Sequence, residues 1–434
     1  MSSTRHAPQG SAISYERYMS SPEYAQLRGI PGTALAAKAQ LCPEARKRSL
    51  LFFLQSLSLK EGGLRSVARA LLERLPSFSE EVLTYFLVEL CINPKVEFSN
   101  ETASEFDRVI DTVRDFQNAY EAKVKSDFIL TTIGREIFET LDYALAIGKM
   151  VVIEGESGTG KTTAAEAWCA ANQGQARSIS LSGITHKTGF FRKLASAIGL
   201  AAAKGKAIDL QVRVEDFFRK TQLMLVIDEA HYLWPQYQRS YSSPELIDWV
   251  NTALVNHNVP VALICTDQFA KLKSRVETQT GWTSEQLEHR VKRYKKLSSM
   301  PTKKDLEAVA ARLLATRWNS RDQRWNLSGP KPHPDVIKMV VGYALTCRMR
   351  LPGVANTVEE ARYQACKAGR VHIVATDIRT ALLDYQIPSD QALQCAFDSA
   401  QHHSPRTAIV ARPCVGSVLQ RRCNAVASSL QSVR

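Results

Sequence analysis

The stretch G-E-S-G-T-G-K-T-T, residues 155–163, decides the fold. It fits the pattern G-x-x-x-x-G-K-[ST], with an apolar segment, K-M-V-V-I-E, before it and a helical segment, T-A-A-E-A-W-C-A-A, overlapping its end. Glycines let backbone N–H groups turn inward on a phosphate chain, and the N-terminus of the following helix adds positive potential. The stretch therefore predicts a nucleotide-binding loop between a strand and a helix.

Two side chains of this loop have specific chemical roles. Lys161 would reach the β- and γ-phosphates of ATP, and the Thr162 hydroxyl would coordinate Mg²⁺. The other loop residues expected to bind the nucleotide are Gly155, Glu156, Ser157, Gly158, Thr159, Gly160 and Thr163. The predicted cofactors are ATP and Mg²⁺.

A second motif, L-M-L-V-I-D-E-A-H at residues 223–231, places acids at the end of a buried strand. Asp228 falls where ligands bind in parallel sheets, and it would hold Mg²⁺ through water. Glu229 is placed to orient and deprotonate the attacking water. An acid pair that only caps a helix is the structural alternative. Together with the phosphate loop, the pair indicates ATP hydrolysis and not phosphoryl transfer to a small molecule.

Composition limits the other classes of protein. The 434 residues suffice for two or three domains, and 44% hydrophobic with 23% charged residues is ordinary for a soluble protein. No apolar run is long enough to span a bilayer, and the first residues lack a secretory signal pattern. Nine cysteines without a C-x-x-C pair argue against a disulfide framework and a zinc site. We expect a cytoplasmic protein without a membrane partner.

The chain divides into five segments that differ in composition and hydrophobic pattern. From about residue 128, short β-branched runs alternate with helical stretches, which predicts a parallel sheet flanked by helices. The predicted strands are 149–154, 176–181, 223–228, 260–266 and, more weakly, 295–300. The predicted segments are a flexible arm (1–42), a helical domain (43–122), an α/β nucleotide-binding subdomain (123–301), a purely helical lid (302–388) and a basic, disordered tail (389–434).

The segment in front of the sheet contains a possible helix-turn-helix. Residues 65–75 and 79–90 have its spacing, joined by a short turn. The second helix, however, opens with Glu80 and Glu81, which suit a DNA-facing surface poorly. A plain helical interaction domain is the alternative.

Polar residues beyond the acid pair complete the candidate site. Thr266 ends the strand P-V-A-L-I-C-T, where it could sense the γ-phosphate or only cap the strand. Arg290 and Arg293 stand three residues apart in L-E-H-R-V-K-R-Y, which predicts one helix face. An arginine at a subunit edge can supply charge to a neighbour's nucleotide. The competing interpretation is a solvated or DNA-facing basic surface, because residues 288–304 carry seven Lys or Arg and one Glu.

This order of motifs resembles the AAA+ ATPases over about residues 125–385. Within them it is most similar to the transposition-regulator group, which contains the phage Mu target-selection protein B and related transposon ATPases. The resemblance is carried by V-I-D-E-A-H-Y-L, A-L-I-C-T-D, L-E-H-R-V-K-R-Y followed by a helical lid, and the small helical domain in front. It implies that Thr266 is the first sensor and that Arg290, then Arg293, acts on a neighbouring subunit.

The resemblance has one departure and adds three DNA-contact candidates. Asn356 stands where such lids often carry a sensing arginine, after Pro352-Gly353, and Arg348 or Arg350 before that turn could substitute. Stretches that face the duplex in related assemblies contain Lys187, Lys204 and Lys206, each of which could equally be a solvated surface lysine.

The leading hypothesis is an ATP-dependent DNA-binding regulator of transposition and recombination. Its subunits would assemble head-to-tail on duplex DNA as a ring or filament, with little sequence preference, and present target DNA to a transposase or integrase. Hydrolysis would dissolve the assembly. The alternatives are a signalling or defence ATPase with nucleotide-controlled oligomerisation, and a replication initiator or loader. The net charge of +13 favours a nucleic-acid partner but is a weak indication alone.

Overall fold

A computed structural model describes most of the chain between residues 30 and 398. The described ranges are 30–42, 44–92, 100–181, 186–200, 207–235, 243–298, 300–321, 323–347 and 349–385, with single residues 393, 396 and 398. Most of the predicted arm and nearly all of the predicted tail therefore lie outside the described residues. So do Lys204, Lys206 and Arg348.

A five-stranded parallel sheet forms the centre of the fold, as the alternating apolar runs predict. Its strands are β1 (Met150–Glu154), β2 (Ala176–Ser180), β3 (Met224–Asp228), β4 (Val261–Cys265) and β5 (Val291–Lys296). The order across the sheet is β2-β3-β4-β1-β5, and every pairing is parallel. The carboxyl ends of all five strands therefore meet at one edge, which is where the phosphate loop begins.

Helices account for most of the remaining described residues. In the part of the chain in front of β1 they are α1 (Gly32–Leu41), α2 (Ala45–Glu61), α3 (Leu64–Leu71), α4 (Glu80–Ile92), α5 (Asn100–Asp127) and α6 (Thr132–Ile147). Within and after the sheet they are α7 (Lys161–Ala171), α8 (Lys187–Ala197), α9 (Ala207–Thr221), α10 (Glu245–Trp249), α11 (Gln268–Thr280), α12 (Glu285–Arg290), α13 (Lys303–Leu314), α14 (Pro334–Thr346), α15 (Arg350–Lys367) and α16 (Ala375–Thr380). No described helix is long and apolar enough to cross a bilayer.

Alternate residues of the central strands belong to two different cores. Met150 and Val152 of β1 pack into one core, whereas Val151 and Ile153 pack into the other. This alternation follows from the two-residue period of a strand, and burial of both sets follows from helices on both faces. Helices α6 and α7 cover the face of Val151 and Ile153.

The helices in front of the sheet extend the first of these cores. Buried side chains of α1 to α5 form one cluster with those of α8, α9 and the sheet. Within the predicted flexible arm, residues 32–41 form α1, whose Gly32 N–H donates to Gly199 O at 3.0 Å. Gln55 of α2 donates to Ile198 O at 3.0 Å. The helical segment is therefore packed against the sheet layer and does not stand apart from it.

A buried arginine joins these two parts of the chain. Arg177 of β2 is 6% exposed and donates to backbone oxygens of Gln173 at 2.5 Å, Ala176 at 2.8 Å and Phe52 at 2.7 Å. It also donates to Gln55 Oε1 at 3.0 Å. Burial lowers the pKa of Arg177 to about 10, so the guanidinium remains charged at neutral pH. Four oxygens thus offset much of the cost of a buried charge that has no carboxylate partner among the described residues.

The second helix of the predicted helix-turn-helix is buried. Residues 83–89 of α4 are buried on every side of the helix. Glu80, at its start, forms ion pairs with Arg65 at 3.0 Å and Arg69 at 3.1 Å on α3. Because α4 has no open face along this stretch to enter a DNA groove, the burial favours the plain helical alternative.

The fifth strand is not where the sequence predicts it. The weak prediction of a strand at 295–300 and of a helix carrying both Arg290 and Arg293 is wrong. Helix α12 ends at Arg290, and the strand occupies Val291–Lys296, paired with β1. Since β5 is an edge strand with mostly exposed side chains, it lacks the apolar run that marks the other strands.

Where the structure describes the lid, it is helical except for one hairpin, so the prediction of a purely helical lid is corrected there. Helices α13 to α16 share a core of their own, and β6 (Arg317–Asn319) pairs antiparallel with β7 (Arg324–Asn326) between α13 and α14. Asp305 fixes the lid to the sheet layer, because it accepts N–H bonds from Thr302 and from Thr132 of α6, both at 2.9 Å. Although burial acts in the opposite direction, these bonds lower the pKa of Asp305.

We expect Arg177→Met to lower the free energy of unfolding by about 2–4 kcal/mol, because several buried oxygens lose their donor. Urea unfolding followed by circular dichroism measures the change. Arg192→Met, at an exposed position of α8, is the matched control and should shift stability by less than about 0.5 kcal/mol. Equal midpoints for the two variants would contradict a stabilising role for the buried guanidinium.

Candidate nucleotide-binding site

The phosphate loop leaves β1 and enters α7 through two glycines that other residues replace poorly. Gly158 has φ +76° and Gly160 has φ +87°, in the left-handed region that glycine adopts without steric cost. The Gly155 N–H donates to Cys265 O at 3.1 Å, so the loop starts as an extension of the β1–β4 pairing. This geometry brings the loop's backbone and the N-terminus of α7 to the carboxyl edge of the sheet.

Lys161 lies on the inner side of the loop, at the first residue of α7. Its ammonium group donates to Gly155 O at 2.9 Å and to Glu156 O at 2.7 Å, and the residue is 7% exposed. Burial lowers the pKa of Lys161, while the carboxylates of Glu229 and Asp228 oppose that shift. The loop carbonyls thus hold a cation where a phosphate chain would cross the loop.

Thr162 and Asp228 come together across the sheet edge. The Thr162 hydroxyl donates to Asp228 Oδ2 at 2.7 Å. Mg²⁺ prefers hard oxygen ligands such as hydroxyl, carboxylate and water. The chemistry of this pair therefore fits Mg²⁺, which the hydroxyl would hold directly and the carboxylate through water.

Glu229 is held beside this pair in a strained backbone conformation. Its φ is +55°, which costs about 1–3 kcal/mol for a residue other than glycine. The Glu229 carbonyl accepts the Tyr232 N–H at 3.0 Å, and His231 Nδ1 lies 3.2 Å from Glu229 Oε2. Burial lowers the pKa of His231, so this imidazole is neutral at pH 7. The turn thereby directs a carboxylate, one-third exposed, to the edge where the loop and Asp228 meet.

Thr266 follows β4, next to the strand that leads into the phosphate loop. Its hydroxyl oxygen is buried without a hydrogen-bond partner among the described residues. A buried hydroxyl of this kind is costly unless it finds a partner. The position fits the predicted sensing of a phosphate.

The lid closes over the loop through Arg350. This residue has φ +53°, and its guanidinium lies 2.5 Å from Glu156 Oε2 of the loop. Pro352 and Gly353 do not form the predicted turn before a helix; both residues lie in the first turn of α15. Asn356 is exposed further along that helix, whereas Arg350 is the candidate that contacts the loop.

A cavity of about 770 Å³ lies between the loop, the end of β5 and the lid. Its lining includes Glu156, Leu297, Pro301, Cys347 and Arg350. This volume is in the range of small-ligand and cofactor sites. It is adjacent to Gly155 and Glu156 of the loop, so its position suits the base and ribose of a nucleotide.

The two predicted arginines lie away from this site. β5 runs parallel to β1, with Val291 opposite Met150, so Arg290 precedes the amino end of the strand, at the edge opposite the phosphate loop. Arg293 stacks on the ring of Tyr143, 3.6 Å from its centroid. Neither can serve its own subunit's nucleotide from there.

The lysine predicted to face DNA also has a partner. Lys187 starts α8 and lies 3.3 Å from Glu245 Oε2, with both side chains largely exposed. An exposed pair of this kind contributes little and exchanges readily with other anions.

Sequence reasoning missed two contacts in and near the site. The Tyr294 hydroxyl of β5 donates to the buried carboxylate of Glu154, the residue directly before the loop, and partial burial together with this bond raises the pKa of Tyr294. His231 belongs to the quoted D-E-A-H motif without an assigned role. The position of His231 shortly after the acid pair could have indicated its contact with Glu229. Tyr294 and Glu154 are far apart in the sequence, so no local pattern could have predicted their hydrogen bond.

The fold and the site together have the architecture of a P-loop nucleotide-binding domain. Residues 148–272 match the model of a protein family described as the AAA domain. No curated protein matches the chain.

Several solved structures resemble this one at low identity. The ORC2 protein of Aeropyrum pernix, in ADPNP–ADP complexes, is 12% identical with a TM-score of 0.41, covering 60% of this chain and 67% of that one. Cdc6p of Pyrobaculum aerophilum is 14% identical with a TM-score of 0.40, covering 67% and 84%. The RuvB Holliday junction branch migration motor of Thermotoga maritima is 16% identical with a TM-score of 0.33, covering 57% and 67%. Such low similarity says nothing about substrate or partner.

We expect Arg350→Ala to weaken ATP binding about tenfold, because a charge-assisted bond to phosphate is worth roughly 1.4 kcal/mol. Titration with a fluorescent ATP analogue measures it, and Lys367→Ala, exposed at the end of α15, is the control. The variant Glu156→Gln shows whether Arg350 acts by binding phosphate or by pairing with Glu156. If Arg350 binds phosphate, releasing it from Glu156 leaves the affinity for ATP unchanged or higher. If Glu156→Gln loses as much ATP affinity as Arg350→Ala, the ion pair acts only by closing the lid.

Proposed function

We propose that this chain is an AAA+ ATPase that binds ATP, oligomerises on duplex DNA and regulates transposition, with ATP hydrolysis dissolving the assembly. The ATPase part rests on the phosphate loop and the acids at the carboxyl edge of the sheet. The DNA part rests on the charge of +13. The transposition part rests on the resemblance of the motif order to the transposition-regulator group, with a transposase or integrase as the partner protein.

The observation that carries the assembly model is the place of Arg290. It precedes the amino end of β5, so the six-residue strand separates it by roughly 20 Å from the edge that holds the loop. The residue is partly exposed at that end of the strand. A guanidinium so placed suits an anion from a second copy of the chain. One edge of each subunit then meets the opposite edge of the next, which generates a ring or an open helix.

Bound Mg²⁺ would neutralise charge on the β- and γ-phosphates. Lys161 would exchange its loop carbonyls for phosphate oxygens, and Thr162 and Asp228 would hold the metal. Glu229 would accept a proton from water as the water oxygen bonds to the γ-phosphorus and the bond to the bridging oxygen breaks, giving ADP and phosphate.

Nucleotide state would be read at two further positions. Thr266, next to β1, would donate its hydroxyl to the γ-phosphate. Arg290 of the adjacent subunit would stabilise the charge that develops during hydrolysis. Assembly on DNA would therefore strengthen with ATP and weaken after hydrolysis, which makes the nucleotide a timer.

We expect Lys161→Ala to abolish ATP-dependent assembly on duplex DNA, because the phosphate chain loses its principal cation. Glu229→Gln should bind ATP and hydrolyse it at least a hundredfold more slowly, leaving long-lived DNA complexes. Electron microscopy and phosphate release, with duplex DNA and a slowly hydrolysed ATP analogue as reference, measure both. Unchanged assemblies in Lys161→Ala would exclude the timer, and normal turnover in Glu229→Gln would exclude Glu229 as the base.

The same measurements separate the other functions. ATP-dependent oligomers that ignore DNA would favour a signalling ATPase. Binding restricted to one DNA sequence would favour a replication initiator, because the proposed assembly relies on phosphate contacts and tolerates sequence.

We expect an equimolar mixture of Arg290→Ala and Glu229→Gln to regain ATPase activity, although each variant alone is inactive. If Arg290 acts on a neighbour, about a quarter of the interfaces join an intact Glu229 to an intact Arg290. Activity near that fraction of wild type supports a shared site. No recovery in mixed oligomers would show that Arg290 acts within its own subunit or not at all. The same experiment with Arg293→Ala in place of Arg290→Ala tests whether Arg293, which stacks on the Tyr143 ring, is dispensable for ATP hydrolysis.

A further inference from the structure

The β6–β7 hairpin projects from the helices of the lid. It leaves the end of α13 and returns where the Gly329 N–H donates to Ala315 O at 3.2 Å. Each strand has the sequence R-W-N. The antiparallel register pairs Arg317 with Asn326, Trp318 with Trp325 and Asn319 with Arg324. An isolated two-stranded ribbon is marginally stable, so this one needs support from the lid.

One face of the hairpin supplies that support. The Trp318 and Trp325 rings pack together, with centroids 5.8 Å apart. The Trp318 N–H donates to Val371 O at 2.9 Å, and the half-buried Arg362 guanidinium of α15 lies 5.9 Å from the Trp325 ring centroid. These contacts fix the ribbon against α15, so its other face has a set orientation.

The opposite face is basic and points away from the lid. Because successive side chains of a strand alternate, Arg317 and Asn319 share this face with Arg324 and Asn326. Arg317 and Arg324 are both exposed, and they occupy diagonal positions of the ribbon. Among the described residues neither forms an ion pair within 4 Å, unlike Arg312 and Lys338 elsewhere in the lid. Like charges so close repel each other, and a polyanion would relieve this repulsion.

The side-chain types identify the polyanion. Arginine and asparagine are among the side chains that bind the phosphate oxygens of DNA, and a two-stranded ribbon is narrow enough to lie in a groove. Arg321, in the turn between the strands, is exposed as well, but Asp322 follows it in the sequence and offsets its charge, so Arg317 and Arg324 supply the net positive charge of the hairpin. An acidic protein surface would need matching carboxylates, whereas a phosphate backbone offers evenly spaced charge along its whole length.

We propose that the outer face of this hairpin, formed by Arg317, Asn319, Arg324 and Asn326, binds the phosphates of duplex DNA. The inference rests on the proposed function, in which the chain assembles on DNA, and it names a lid surface that contacts it. Each arginine neutralises one phosphate and releases bound counterions, so each adds to the salt dependence of binding without adding sequence preference.

The test is the double variant Arg317→Ala/Arg324→Ala in the full chain. Fluorescence anisotropy with a labelled duplex of arbitrary sequence, in the presence of a slowly hydrolysed ATP analogue, gives affinity across a salt series. The slope of log K against log salt is negative, and each lost phosphate contact reduces its magnitude by about one. We therefore expect the double variant to have a slope smaller in magnitude by about two. Binding of a fluorescent ATP analogue and the melting temperature should match wild type.

Lys123→Ala/Lys125→Ala, at exposed positions near the end of α5, is the matched control, because it removes the same charge elsewhere. Its slope should stay at the wild-type value. An unchanged slope in the hairpin variant, or an equal fall in both variants, overturns the inference while the proposed function stands. Absence of DNA binding by the wild-type chain overturns both.

Discussion

The fold depends on one constraint: a parallel sheet must be buried on both faces. The inner strand β1 meets it with alternate residues, Met150 and Val152 on one side and Val151 and Ile153 on the other. On the second side α6 and α7 suffice. On the first, the cover continues outward through α8 and α9 into the helices of the front segment, where Arg177 joins β2 to α2. The helices of the front segment therefore belong to the layer that buries one face of the sheet.

The same sheet gives the molecule two chemically different edges. At the carboxyl edge, the loop backbone, Lys161 and the Thr162–Asp228 pair gather where strands end and polar groups are tolerated. At the amino edge, α12 delivers Arg290. Because the length of the strands separates these two ends of the sheet, no small movement within one chain brings them together. A catalytic site that uses both has to be made by two chains.

The sequence predicts the phosphate loop and the strands β1 to β4 well, but β5 and the lid hairpin poorly. β1, β3 and β4 are apolar runs ending in polar residues, and the loop has a fixed pattern. β5 is different, because its K-R-Y-K-K residues face solvent at the sheet edge and carry no apolar signature. Three-residue strands such as β6 leave no periodicity to detect. Contacts such as Arg350 with Glu156 or Arg293 with Tyr143 join residues far apart in the chain, and spacing within a segment cannot reveal them.

The shared core of the front segment and the sheet has a consequence for how the chain is made. Gln55 reaches its carbonyl partner at Ile198, and Arg177 reaches back to Phe52, so these contacts wait until the ribosome has released more than a hundred further residues. Until then, apolar side chains of α1 to α4 have no partner layer and stay exposed. Closure of such long loops is slow. Nascent chains of this protein should thus engage chaperones before β3 emerges, and a chain truncated ahead of β2 should aggregate.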